Sequence, residues 1–220
     1  NKVKIDFKKK KKIISFVGKL NSAKGYDVFG KAVIKILDIY KDWKALAIGN
    51  EPREKHLFNH DRLKKIDWIK HNEILNYYKR SSIAIVPSKW QEPFGRTSME
   101  SAAYGCATIT SNNGGLPETF KNPIFLKNVN EIELFNQIKK LIDNSKTRKE
   151  IQRENFKNVV HKLKNKVKKI DTWKKMHLIK NINISTSKKL KILHISTFDE
   201  RNDHRLFNIS IANKLSKGLI

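Results

Sequence analysis

At 220 residues the chain is long enough to bury a real core, and its formal net charge of +26 comes mostly from lysine, with only eight of the 47 basic residues being arginine. The lysines are scattered along the whole length rather than gathered beside aromatic groups, which argues against specific nucleic-acid recognition and leaves a general attraction to anionic membranes or glycans. A single cysteine excludes an internal disulfide and a cysteine metal cluster, and no apolar run approaches the roughly 20 residues that span a bilayer, so a cytoplasmic setting is expected, at most peripheral at the inner membrane face.

Residues 1–12 read as a lysine-rich linker with little to bury. Residues 13–17, IISFV, form a buried strand, residues 18–25 a loop with a glycine at each end, and residues 26–40 a helix with Phe29, Val33, Ile36, Leu37 and Tyr40 on one face. Residues 44–49, KALAIG, are a second strand. The polar residues 52–65 suggest a short helix with turns, on which His56 and His60 stand at i, i+4. That spacing can hold a metal, but no protease-type glutamate and no cysteine accompanies it, so a solvated helix is expected. Residues 66–69 read as a brief strand that places Trp68 in the core. Asn72 caps a helix running to about Arg80.

A strand over 82–86 ends at Pro87, and a helix begins near Phe94 to Arg96 and stops at Gly105, where a left-handed residue suits a helix end. Cys106 opens the next strand, over 106–110, as a small buried residue. Pro117 starts a short helix with Glu118 in its first turn. A strand over 123–126 and a helix over 131–142 follow, the helix carrying Ile132, Phe135, Ile138, Lys139 and Ile142 at helical spacing. This alternation predicts an α/β fold: a Rossmann-like parallel sheet with helices on both faces, whose ligands bind at the carboxyl ends of the strands.

The composition then shifts. Eight of the nine glycines and all five prolines lie between Gly18 and Pro123. Residues 145–175 read as helix with an apolar stripe of Phe156, Val159, Val160, Leu163, Val167, Ile170 and Trp173, which suits packing against the sheet domain; a basic helix lying on a membrane surface is the alternative. Residues 179–189 look like a linker, and 190–196, LKILHIS, like a new strand before a helix over 205–215. With no methionine at position 1, the chain reads as a piece of a longer one.

The densest stretch is 87–118, PSKWQEPFGRTSMESAAYGCATITSNNGGLPE. A strand, a glycine-bearing turn and a helix start bring free backbone N–H groups and the positive end of a helix dipole to one place, which makes an anion site. Glu92 and Glu100 frame that helix start, and a carboxylate can hold a vicinal diol through two acceptor oxygens. Gly114 and Gly115, lacking a Cβ, can bring backbone close to a ligand.

Glu92-Pro93-Phe94-Gly95 through Glu100, followed by Gly114-Gly115-Leu116-Pro117-Glu118, resembles the donor-binding signature of the family four retaining glycosyltransferases, enzymes of the GT-B fold. The resemblance implies that residues 13–178 are the carboxyl-terminal donor-binding lobe with its crossing helices, that the opposite lobe lies upstream, and that residues 190–220 open a second glycosyltransferase-like α/β domain. It implies transfer of a sugar from a nucleoside diphosphate sugar to a hydroxyl of a glycan or lipid-linked acceptor, with retention, in surface glycan or lipopolysaccharide biosynthesis. On this resemblance Glu92 is catalytic and faces the transferred sugar, and Glu100 holds the ribose diol. Phe94, Gly95, Arg96 and Thr97 at the helix start meet the diphosphate together with Lys24. Lys19 stands where the family carries an arginine, and the loop after residues 66–69 lies beside the nucleobase. No metal and no cofactor is expected, because the helix start and the Lys24 ammonium take the charge-stabilising part. The 220 residues alone are expected to bind a nucleoside diphosphate without transferring sugar. Two alternatives remain: a sugar-nucleotide or anionic-surface binding module without catalysis, and a glycan phosphorylase of the same fold with pyridoxal phosphate on a lysine.

Overall fold

Strands rich in Ile, Val and Ala with no polar alternation are what a sheet covered on both faces requires. The computed structural model, which describes residues 5–56, 58–121 and 123–178, has six of them, all parallel: β1 (Lys11–Val17), β2 (Lys44–Ile48), β3 (Leu63–Ile66), β4 (Ser81–Val86), β5 (Ala107–Ser111) and β6 (Ile124–Leu126). Their order is β3-β2-β1-β4-β5-β6. The direction of winding therefore reverses between β1 and β4, which opens a crevice at their carboxyl ends.

Helices α1 (Tyr26–Ile39) and α4 (Glu131–Asp143) cover one face of the sheet, burying Phe29, Val33, Ile36, Leu37, Leu134 and Ile138 against Ile14, Phe16, Ile83, Ile85 and Ile109. Helix α2 (His71–Arg80) covers the other face, with Ile74 and Tyr78 on Val17, Leu46, Ile48 and Ala84. Helix α3 (Arg96–Ala103) packs beside it over β4 and β5. Helix α5 (Ser145–Leu178) docks through polar side chains as well as apolar ones. Gln152 donates to the Ser82 carbonyl at 2.8 Å and Asn155 to the Cys106 carbonyl at 2.9 Å, satisfying backbone groups at strand ends. The buried Arg148 guanidinium caps α4 through the Leu141 and Ile142 carbonyls and lies 5.1 Å from the Trp43 ring centre, and its burial lowers its pKa. Val159 packs on Ala102 and Phe120. The chain divides into two compact units after Thr172. The expected linker over 179–189 and the second α/β start over 190–220 lie outside the described residues, as do the side chains of Val160, Leu163, Val167, Ile170 and Trp173.

Several expectations are corrected. The lead-in to β1 is tied down rather than free. Phe7 meets Phe156 edge-on at 6.0 Å, and the Lys10 ammonium donates to the carbonyls of Tyr78, Ser81 and Tyr104 at 2.7–2.8 Å. Burial pushes the Lys10 pKa down. No helix forms among the described residues of 52–65; turns lead into β3, which begins at Leu63 and not at Ile66 because residues 63–66 complete a four-pair ladder with β2. His56 and His60 are accordingly not on a solvated helix. His56 stacks on Phe58 and pairs with Glu54 at 2.7 Å, and His60 reaches Asp38 at 3.4 Å. Trp68, expected in the core, is 55% exposed, since the strand has ended before it. Asn72 does not cap α2; the cap position is Lys70, with no side-chain bond. In α4 the buried face is Leu134, Ile138 and Leu141, with Phe135 and Ile142 partly buried beside it, whereas Ile132 is 68% exposed, so the apolar stripe lies about a quarter turn from the one expected.

Candidate functional site

The crevice at the carboxyl ends of β1 and β4 holds a cleft of about 310 Å³. Its floor is Phe16, Val17, Ile85 and Val86 from the strand ends, and its rim is Gly18, Lys24, Ser88 and the run Glu92 to Thr97. Two loops are interlocked to build it. The Ala23 carbonyl accepts from the backbone N–H groups of Lys89 at 2.9 Å and Trp90 at 3.0 Å. Gly25 sits at φ 72°, and a Cβ there would lie 2.0 Å from the Pro87 carbonyl oxygen, so this crossing requires glycine.

Lys24 and Glu92 meet across the cleft. Asn21 accepts from the Lys24 N–H at 3.0 Å and caps a short 3₁₀ turn (Ser22–Lys24), which aims the lysine. Its ammonium lies 2.6 Å from Glu92 Oε1, and the Ser88 hydroxyl donates to the same oxygen at 2.8 Å. The side chains are 31% and 13% exposed, so the pair is partly desolvated and still reachable. Just beyond, Gly95 at φ 82° starts α3 with no side-chain cap. The first amides of that helix therefore have no intrahelical or capping partner, and Phe94, Gly95, Arg96 and Thr97 at that helix start line the cleft.

Gly114 and Gly115 hold the site from the far side. Their close approach is to Glu92 itself: the Gly115 N–H donates to the Glu92 carbonyl at 2.6 Å, and a Cβ on Gly114 would lie 2.3 Å from that same oxygen. The glycine pair thus clamps the backbone of Glu92 to Phe94. The Asn113 and Ser111 side chains add to this by donating to the Ser88 carbonyl at 2.8 and 2.6 Å.

Glu100 lies about one turn into α3 and outside the cleft lining. Its Oε1 accepts from His71 at 3.0 Å and Arg96 at 3.2 Å, and the side chain is 15% exposed. Lys19 is exposed and likewise does not line the cleft; its charge acts on Glu51. The Arg53 guanidinium, at 2.7 Å, holds the Glu51 carboxyl down at about 2, helped by Lys19. Among the described residues no group of three or more His, Cys, Asp or Glu side chains could hold a metal ion. Ser88, Asn21 and His71 were not legible as site residues. Asn21 had one usable signal, an Asn three residues before Lys24, the spacing of a cap. The contacts of Ser88 and His71 come from distant segments and leave no local trace.

Residues 1–158 match the family described as glycosyl transferases group 1. Spore coat protein SA of Bacillus subtilis (strain 168) is 34% identical over 124 residues, which are 50% of this chain and 33% of that protein. The match thus spans about a third of that relative's length. Among solved structures, the C-terminal domain of a glycosyl transferase group 1 family protein (LpcC) from Francisella tularensis has a TM-score of 0.63 at 26% identity, over 69% of this chain and 85% of that one. Anabaena Alr3699/HepE, solved in complex with UDP-glucose, shares the fold with a TM-score of 0.59 at 15% identity, over 74% of this chain and 49% of its own. With the switch-point cleft, the framed helix start and these matches together, the chain belongs to the glycosyl transferases group 1 family, with the fold of a GT-B lobe.

Proposed function

We propose that this chain supplies the donor site of an enzyme that moves a sugar from a nucleoside diphosphate sugar to a glycan or lipid-linked hydroxyl, with retention at the anomeric carbon. The observation that carries the reading is the Lys24–Glu92 pair, held at 2.6 Å beside the uncapped start of α3. The UDP-glucose complex of the fold relative HepE supports the donor class. Lys24 and the first amides of α3 would meet the diphosphate, where negative charge grows as the leaving group departs. Glu92, fixed by Gly115 and Ser88, would face the transferred sugar. Glu100 would take the ribose diol on Oε2, because its two partners here both meet Oε1. Calorimetry of the chain against UDP, GDP and ADP tests the reading; no binding of any of them overturns it.

Two results are expected from this arrangement. Glu100→Gln should keep the fold and weaken nucleotide binding about tenfold or more, since a charged acceptor facing a diol contributes about 1.5–3 kcal/mol. Unchanged affinity removes Glu100 from the ribose site. The second concerns metal: with lysine and backbone amides supplying the positive charge, transfer by the intact protein should survive EDTA. Activity abolished by the chelator and restored by manganese contradicts the scheme.

A further inference from the structure

A second cleft opens at the opposite end of the same strands. It encloses about 350 Å³ and is lined by cations from three neighbouring strands and by the end of α2. The parallel register explains why they converge. Ile13 of β1 pairs with Lys44 of β2, and Leu46 of β2 pairs with Lys64 of β3. Registered residues share a sheet face, and so do residues two apart, so Lys44 and Lys64 stand on one face with Ile13 and Leu46 between them, and Lys11, just before a register shift in β1, lines the same cleft. Tyr77 and Arg80 of α2 wall the cleft, with the guanidinium 5.1 Å from the Tyr77 ring centre.

The charges there are unspent. Arg62 is committed to the carbonyls of Tyr40 and Trp43 at 3.0 and 3.3 Å. The ammonium groups of Lys11, Lys44 and Lys64, by contrast, have no hydrogen-bond or ion-pair partner among the described residues, and Arg80 has only the tyrosine ring. The lone acid in the lining, Asp61, is turned to His60 at 3.5 Å. Four like charges around one concavity repel one another, and a polyanion entering it relieves that repulsion.

We propose that this cleft is a second binding site, for a small ligand carrying two or more phosphate groups. Its volume falls at the lower end of small-molecule pockets, about 300–1,000 Å³, and its concave shape suits a compact polyanion better than a flat bilayer. The aliphatic floor of Ile13 and Leu46 and the Tyr77 ring would take a non-phosphate part of the ligand. The site is separated from the donor cleft by the length of the strands, about 15–20 Å at roughly 3.3 Å per residue. It does not depend on the donor reading.

Inorganic tripolyphosphate is the probe, titrated by calorimetry into the 220-residue chain at physiological salt. Saturable one-to-one binding is expected. The triple variant Lys11→Gln, Lys44→Gln, Lys64→Gln should weaken it at least tenfold, and Arg80→Gln alone severalfold. Lys24→Gln in the donor cleft should leave it unchanged, as should a matched triple, Lys121→Gln, Lys127→Gln, Lys149→Gln, elsewhere on the surface. The lysines are exposed, so folding is expected to be retained, and the Arg80 variant carries the test if the triple is unstable. Equal losses in both triples would show a diffuse charge effect and overturn the proposal. So would loss on Lys24→Gln, which places the probe in the donor cleft. Binding to phosphatidylglycerol vesicles that needs Lys11, Lys44 and Lys64, with none to tripolyphosphate, would assign the surface to membrane and overturn it as well.

Discussion

Lys24→Gln is expected to lower sugar transfer by the intact protein about 10²–10³-fold, a loss of about 2.7–4 kcal/mol of transition-state stabilisation. The residue is aimed by the Asn21 cap and stands 2.6 Å from Glu92 in a half-closed cleft, so its charge is only partly screened. A neutral amide can still donate a hydrogen bond to a phosphate oxygen, but it cannot offset the charge that grows on the leaving diphosphate. The effect should therefore fall on kcat more than on donor affinity. The variant should fold, because the side chain is solvent-accessible and its removal leaves Glu92 hydrated and bonded to Ser88. Turnover within severalfold of the parent would take Lys24 out of the chemical step.

Gly25→Ala is expected to damage fold and site together. At φ 72° any L-residue is strained by about 1–2 kcal/mol, and the new methyl would lie 2.0 Å from the Pro87 carbonyl oxygen, a backbone atom fixed at the end of β4. Separating the loops adds an overpacking cost of about 1–3 kcal/mol. It also breaks the bonds from Lys89 and Trp90 to Ala23, which hold the lysine loop against the glutamate loop. A melting temperature lower by about 5–15 °C is expected, with weakened nucleotide binding in whatever remains folded. A melt within about 1 °C of the parent would show that the two loops are not locked at this crossing. Gly18 separates the two costs, since an L-residue at its φ of 153° is also strained but its Cβ would meet nothing closer than 3.9 Å.

The two experiments separate chemistry from architecture. One removes a charge from a loop that stays in place; the other displaces the loop with its charge intact. If both act on turnover but only the second moves the melt, the lysine is a participant and the glycine a scaffold.

What the chain determined on its own was whatever is written locally. Periodicity placed β1, α1, β4 and α3 within a few residues of their bounds, because each buries a continuous apolar set next to a glycine or proline that ends it. The string from Glu92 to Glu118 identified the family for the same reason: its residues are close in sequence. Where two elements compete for a segment, local signals failed. Residues 52–65 carry helix-forming residues, yet residues 63–66 pair with β2, because the ladder satisfies their backbone groups and buries Leu63 in the core. In α4 the side toward α1 was chosen by the neighbouring helix, and Ile132 was left in water. The site shows the same division. Glu92, Lys24 and the start of α3 were visible as residue types, but the 2.6 Å pairing joins positions 68 residues apart. Ser88 under Glu92, His71 beside Glu100 and the glycine pair locked on the Glu92 backbone exist only once β1, β4 and β5 lie side by side. The cationic cleft at the other end is likewise a product of tertiary structure, since parallel pairing brings Lys44 and Lys64 to one face and the start of β1 adds Lys11 beside them.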